Sequence, residues 1–275
     1  MTDIMNEWRE TARHWVRHSG TIRTMFDPVT RALVEKAGIH EGQSVLDVAA
    51  GAGEPSLTIA QIVGPTGSVT CTDVVAKMVA AAETEARRRG LTNVKFQQCA
   101  ADSLPFADNS FDAVVSRLGV MFFPDTLVAV REMLRVTKPG GVLAFVVWHK
   151  SQVNPFCYIV SSVMDQHVKS PAADPDAPNA FRFAEQGKLA KVLVEAGAAE
   201  VEENEIEFDI EAPISAHEFW NMRSQTSDTL RAKLKQLSEN EQLQVTLEVE
   251  QAVAEYFPAN QMKFPARMIL VTGRK

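Results

Sequence analysis

Val45-Leu46-Asp47-Val48-Ala49-Ala50-Gly51-Ala52-Gly53-Glu54-Pro55-Ser56 reads as a buried strand, a glycine turn and the start of a helix. Val45, Leu46 and Val48 supply the apolar, β-favouring run of a short interior strand. Gly51 and Gly53 carry no Cβ, so the backbone there can turn sharply and lie close to a ligand. Pro55 suits the first turn of a helix, and Leu57, Ile59, Ala60 and Ile62 continue an apolar face. Asp47, near the strand's end, is placed to cap the following helix or to bond the loop amides. Open α/β sheets bind nucleotide-like ligands at such a loop, beyond the carboxyl end of a strand.

Asp73 narrows the ligand. It ends the strand-like Val69-Thr70-Cys71-Thr72-Asp73, about twenty residues beyond the glycines. A carboxylate there can accept both hydroxyl hydrogen bonds of a ribose, in a dinucleotide or in an adenosyl group; the alternative is a plain turn residue. A dinucleotide site spaces three glycines as G-x-G-x-x-G so that helix and strand pack around a pyrophosphate. Here the third position is Ser56, and Glu54 lies in the loop, where its carboxylate would repel a pyrophosphate. A ligand bearing a sulfonium and an ammonium tolerates that charge. S-adenosylmethionine (SAM) therefore fits better, and an NAD(P)-linked oxidoreductase is disfavoured.

Two further segments complete the pattern. Asp102-Ser103-Leu104-Pro105-Phe106 follows the strand-like Val94–Cys99 and precedes the turn Asp108-Asn109-Ser110-Phe111-Asp112. Leu134-Arg135-Val136-Thr137-Lys138-Pro139-Gly140-Gly141 then ends a helix at a Pro-Gly-Gly turn and opens the strand Val142–Trp148. Together these residues resemble the class I SAM-dependent methyltransferases, in particular the UbiE/COQ5-like branch, over roughly residues 40 to 150. The resemblance implies a Rossmann-like α/β fold: seven strands, mostly parallel, with helices on both faces. It implies that Ala49, Gly51, Gly53, Asp73, Val74, Met78, Asp102, Ser103 and Ser116 bind the cofactor. Gly51 and Gly53 would pass under its methionine part and Asp73 would hold the ribose. Met78 would pack on the adenine, Asp102 would accept the adenine amino group near the Ser103 backbone, and Ser116 would lie near the methionine end. Met78 shares a helix face with Val79 and Ala82, so core packing explains it equally well. The family usually has glycine where this chain has Ala49, and alanine is tolerable there if its φ is negative.

Composition sets the outer bounds. The chain has 275 residues, 45% apolar and 23% charged, enough for a large core in an ordinary globular protein. Net charge is -7, and the one basic run, Arg87-Arg88-Arg89 before Gly90, suits the last turn of a helix. A nucleic-acid partner is not expected. No apolar run approaches the roughly 18 residues of a membrane span, and Trp8, Arg9, Arg13 and Arg17 occupy the place of a signal-peptide core. Cys71, Cys99 and Cys157 are widely spaced, the first two on predicted interior strands, which suggests neither a disulfide framework nor a metal site. A cytoplasmic location is expected.

Three segments are expected: a helical N-terminal lid over 1–40, a SAM-binding core over 41–150, and the rest of the sheet over 151–275. In the lid, Trp8 and Trp15 share a face, which also suits simple docking on the core. Two helical insertions, near 150–180 and 213–260, are expected to cap the active site above the strand ends. Between them Pro171, Pro175 and Pro178 mark a loop, Phe183–Ala196 reads as a helix, and Val201–Ile210 alternates as a strand. Its acid row Glu205, Glu207, Asp209 and Glu211 is expected to be a solvated sheet face. Phe264–Thr272 reads as the last strand, at the sheet edge. The expected activity is methyl transfer to a small, partly apolar or aromatic acceptor, at carbon or oxygen, with a phenol or quinol in view. S-adenosylhomocysteine (SAH) would be the product. Phe122, Phe123, Trp148, Phe156, Tyr158, Phe181, Phe183 and Trp220 are candidate pocket aromatics. His149, just past Trp148, is the candidate general base, against a plain strand-end histidine; Arg117 and Tyr158 are weaker candidates for orienting the acceptor. The alternative is a SAM-binding sensor or assembly protein without chemistry. The oligomeric state is left open.

Overall fold

The computed structural model describes residues 2–169, 174 and 176–275. Helices α1 (Thr2–Arg17), α2 (Ser19–Met25) and α3 (Asp27–Lys36) come first. Then β1 (Ser44–Val48), α4 (Ser56–Val63), β2 (Ser68–Asp73), α5 (Ala76–Arg88) and β3 (Val94–Gln98) alternate. They are followed by β4 (Phe111–Arg117), α6 (Thr126–Val136) and β5 (Thr137–Trp148). The remainder holds α7 (Pro155–His167), α8 (Lys188–Ala196), β6 (Ala199–Ala212), α9 (Ala216–Thr226), α10 (Asp228–Leu234), α11 (Glu239–Ala252) and β7 (Met262–Arg274). No helix among the described residues is long and apolar enough to cross a membrane.

The seven strands form one Rossmann-like sheet in the order β3-β2-β1-β4-β5-β7-β6. The pairs among β1 to β5 are parallel, and β7 runs antiparallel to β5, Trp148 opposite Met268. Consecutive residues of β1 and β5 are buried, Val45-Leu46-Asp47-Val48 and Leu143-Ala144-Phe145-Val146-Val147 among them. Burial at every position, not every second one, means that both faces of these strands are covered. The last strand is therefore not at the edge, contrary to expectation. Ile269, Leu270 and Val271 are buried without alternation and fit an inner place, whereas the half-polar β6 suits the exposed rim. Its acid row is answered by cations: Lys263 meets Asp209 and Glu211, and Arg267 meets Glu207. No cluster of metal-ligating side chains occurs among the described residues.

By contacts the chain forms two units, one of Met1–Phe26, Lys150–Pro175 and Glu207–Arg267, the other of Asp27–His149, Asp176–Ile206 and Met268–Lys275. The division falls after Phe26, so α3 belongs with the sheet unit. In the first unit Trp15 Nε1 donates to Thr226 O at 3.1 Å and Trp8 lies 5.7 Å from the Trp15 ring. Phe156, Phe219, Phe257 and Phe264 make its aromatic core, with Tyr256 stacked 4.6 Å from Phe264. Capping boxes at Ser215/Glu218 and Ser238/Glu241 start α9 and α11. In the other unit α8 begins only at Lys188, because Gly187, at φ +77, breaks the turn before it. Cys99 lies just past the edge strand β3, not on an interior strand. Pro171 and Pro175 lie outside the described residues.

Candidate functional site

Strand order reverses at β1, which stands between β2 and β4. A crevice opens beyond the carboxyl ends of the strands at such a point, and the loops after β1, β2 and β4 supply its walls. Asp73 ties two of them together. Its Oδ2 accepts from Gly51 N at 3.0 Å and its Oδ1 from Val75 N at 2.8 Å. Each carboxylate oxygen keeps a second lone pair for another donor. Burial pushes the carboxyl above its ordinary range, against the pull of these backbone hydrogen bonds. Val74 is half-buried beside it; Met78, on α5, is buried.

Asp47 is the helix cap. Fully buried on β1, it accepts at Oδ2 from Ser56 N at 2.9 Å and Ser56 Oγ at 2.6 Å, so a protein carboxylate already occupies the positive end of α4. Glu54 does not present a bare charge. Its carboxylate pairs with Arg89 Nη1 at 2.7 Å and accepts from Thr58 Oγ1 at 2.7 Å. Its carbonyl accepts from Arg117 Nη2 at 3.2 Å, while Arg117 Nη1 donates to Thr30 Oγ1 at 2.7 Å. Burial lowers the guanidinium's pKa, opposed by the charges of Glu54, Asp47 and Asp27. Arg117 thus joins α3 to the glycine loop.

Ala49 has φ +59, the left-handed region, so the condition for tolerating alanine there is not met. Gly119 is packed closely against it. A Cβ on Gly119 would stand 2.7 Å from Ala49 Cβ and 2.7 Å from Ser116 Oγ. Leu118, just before it, is also left-handed at φ +63. Two non-glycine residues in this conformation, on neighbouring strand ends, mark a place where the fold over-determines the backbone. Ala49→Gly should raise stability by up to about 1 kcal/mol. Gly119→Ala should cost about 1–3 kcal/mol by overpacking, and less in the Ala49→Gly background. Denaturant melts of the two single variants and the double one check this; additive effects would show that the two residues do not press on each other.

Asp102 and Ser103 lie in the turn after β3, Asp102 half-buried and Ser103 exposed, with Ser103 N donating to Ala100 O at 3.3 Å. The sequence words that carry the resemblance hold this loop. Arg135 donates to Leu104 O, Phe106 O and Asp108 Oδ1 at 2.7–2.9 Å, and Glu132 orients it. Lys138 pairs with Asp112, whose other oxygen accepts from Ser44 N.

His149 follows directly on the carboxyl end of β5, the strand beside β4. Its Nε2 lies 3.5 Å from Glu205 Oε1, on the edge strand β6, the side of β5 away from β4. Of the aromatic candidates, Phe156 and Trp220 belong to the helical unit's interior, Trp220 Nε1 donating to Thr246 Oγ1 at 2.9 Å. Phe123, Trp148 and Phe183 are buried in the sheet unit, Phe122 and Phe181 are half-buried, and Tyr158 is exposed.

The model of the ubiE/COQ5 methyltransferase family matches residues 28–217, more than half of the chain. The chain belongs to that family. SAM is accordingly its cofactor. The ubiquinone/menaquinone biosynthesis C-methyltransferase UbiE of Hahella chejuensis is 38% identical over 136 residues, 49% of this chain and 53% of that protein. An uncharacterized protein of Mycobacterium tuberculosis, Rv1405c, is 43% identical over 122 residues, 44% of this chain and 43% of its own. The chain spans about half the length of these relatives. Among solved structures, the YcgJ protein of Bacillus subtilis superposes with a TM-score of 0.58 at 23% identity, over 90% of this chain and 97% of that one, a likeness of fold.

The crevice suits a ligand of that kind. Ser116 Oγ and Asp47 Oδ1 are buried and accept or donate nothing among the described residues. A Cβ on Gly51 would meet no atom within 4 Å, so the loop faces open space on that side. A Cβ on Gly53 would press on Leu57 and Ala82 at 3.0–3.1 Å; Gly119 carries no local sequence signal, and the Glu54–Arg89 pair, spanning 35 residues, has none either.

Proposed function

We propose that this family member transfers the methyl group of SAM to a small, partly aromatic acceptor, a phenol or quinol methylated at carbon or oxygen. The observation that carries it is the convergence of Asp73, the Gly51–Gly53 loop and the buried Ser116 hydroxyl on one crevice. The names of the UbiE relatives favour a quinol-like acceptor. SAM supplies a methyl group on a positively charged sulfur, and the chain's own task is alignment, which can lower a barrier by several kcal/mol. Asp73 would accept the ribose hydroxyls; Ala49, Gly51 and Gly53 would hold the methionine part, with Ser116 at its end. Val74 and Met78 would border the adenine, and Asp102, with the Ser103 backbone, would take its amino group. His149, 3.5 Å from Glu205 Oε1, receives the acceptor's proton.

Calorimetric titration of SAH into the purified protein, with NADH as a matched control, tests the cofactor half. Binding of SAH at one site per chain supports the proposal, and binding of NADH alone overturns it. Turnover on phenols and quinols tests the rest and separates an enzyme from a SAM-binding protein without chemistry. His149→Ala is expected to lower turnover and to leave SAH binding intact; equal loss of both would assign His149 to structure.

A further inference from the structure

The turn from Gly51 to Glu54 is held at both ends by side chains of neighbouring strands. At its start Asp73, on β2, accepts from Gly51 N at 3.0 Å. At its finish Arg117, on β4, donates through Nη2 to Glu54 O at 3.2 Å. The Glu54 carboxylate is fixed separately, by Arg89 Nη1 and Thr58 Oγ1, each at 2.7 Å. Between the two holds Gly51 and Gly53 lie at φ +57 and +110. Glycine gives up more conformational freedom on ordering than any other residue. Such a turn binds a ligand more tightly when another group has ordered it beforehand.

Arg117 takes its own direction from α3. Its Nη1 donates to Thr30 Oγ1 at 2.7 Å, and Thr30 is buried. All three residues belong to the sheet unit, although Arg117 is 87 residues from Thr30 and 63 from Glu54 in sequence. A guanidinium suits this bridge, because its donors form a rigid planar fork and it stays charged. Lysine offers one nitrogen where two acceptors on different elements must be reached. Thr30, Arg117 and the Glu54 carbonyl thus make a strut from α3 to the end of the glycine turn.

We propose that Arg117 is a positioning residue for SAM: anchored on Thr30, it orders the Gly51–Glu54 turn in advance, so that α3 contributes to cofactor affinity. This rests on the reading above that the turn holds the methionine part of SAM. Calorimetric titration of SAH, beside thermal melts of the free proteins, tests it. Arg117→Met keeps the apolar stem and removes both hydrogen bonds; it is expected to weaken SAH about five- to twentyfold. Thr30→Val cuts the far end of the strut alone and should weaken SAH about two- to fivefold. The double variant should bind no worse than Arg117→Met, because both changes break one strut. Arg117→Lys should recover part of the loss. Val29→Ala opens a cavity next to Thr30 in the core; it should lower the melting temperature and leave SAH affinity unchanged. If Arg117→Met does not fold, Thr30→Val against Val29→Ala decides. Wild-type affinity in Arg117→Met or in Thr30→Val, additive losses in the double variant, or an equal loss in Val29→Ala overturns the proposal. Gly51→Val tests the reading beneath it. Loss of SAH in Gly51→Val with full affinity in Arg117→Met would sink this proposal alone. Full affinity in Gly51→Val, or no binding by the wild type, would sink the reading of the turn and the strut with it.

Discussion

Asp73→Ala is expected to weaken SAH binding by about ten- to a hundredfold, the largest loss of any single change in the crevice. Two effects combine. The ribose hydroxyls lose a charged acceptor, and such hydrogen bonds contribute about 1.5–3 kcal/mol. The protein also loses a brace, since Asp73 accepts from Gly51 N on one loop and Val75 N on another. Asp73→Asn separates the two: its single carbonyl oxygen can hold one backbone donor but no longer both loops and a hydroxyl. Calorimetry with SAH, beside thermal melts of the free proteins, reads each contribution. Unchanged SAH affinity with a lowered melting temperature would leave Asp73 a brace only. Lost affinity with an unchanged melt would make the brace incidental.

What the sequence disclosed followed the range of the interaction concerned. Local patterns were legible: the β1 strand, the glycine turn, the α9 capping box and the Gly197 stop of α8 each rest on neighbours a few residues apart. The place of Asp73 at the end of β2, against the glycine loop, was legible too, because strand and loop lie at a fixed spacing in this fold. Partners distant in sequence were not. Glu54 looks like a free charge until Arg89, at the end of α5, is folded against it. Ala49 stood out as a departure from the family's glycine, but its positive φ and the Gly119 facing it show only in the fold. Aromatic residues gave the weakest guidance, since a ring serves a core and a pocket equally well; Phe156 proved to be packed among Phe219 and Phe264. The placement of β7 inside β6 was hidden because sequence order carries no record of which strand ends at the rim.

Asp47 gives the second large effect, read against pH. Burial pushes its carboxyl up to about 7 from an ordinary 3.8, although the Ser56 hydrogen bonds and the Arg117 charge pull the other way. Between those two values the folded chain keeps a proton that the unfolded chain has released. Stability from this group is therefore fully present below about pH 4, falls as pH rises to about 7, and is level above. Three pH units of such linkage amount to about 4 kcal/mol. Asp47→Asn removes the titration while its carbonyl oxygen can still accept from Ser56. The variant's stability relative to the wild type should accordingly rise between about pH 4 and about pH 7. Asp73 shifts in the same direction but is present in both proteins, so the difference between their profiles isolates Asp47. Urea melts of the two proteins across this range provide the measurement. Parallel profiles would mean that the carboxylate, with its unpartnered Oδ1, ionises in the folded protein as readily as in the unfolded chain. A widening gap would mean that the fold keeps an acid at the start of α4 at a cost in stability.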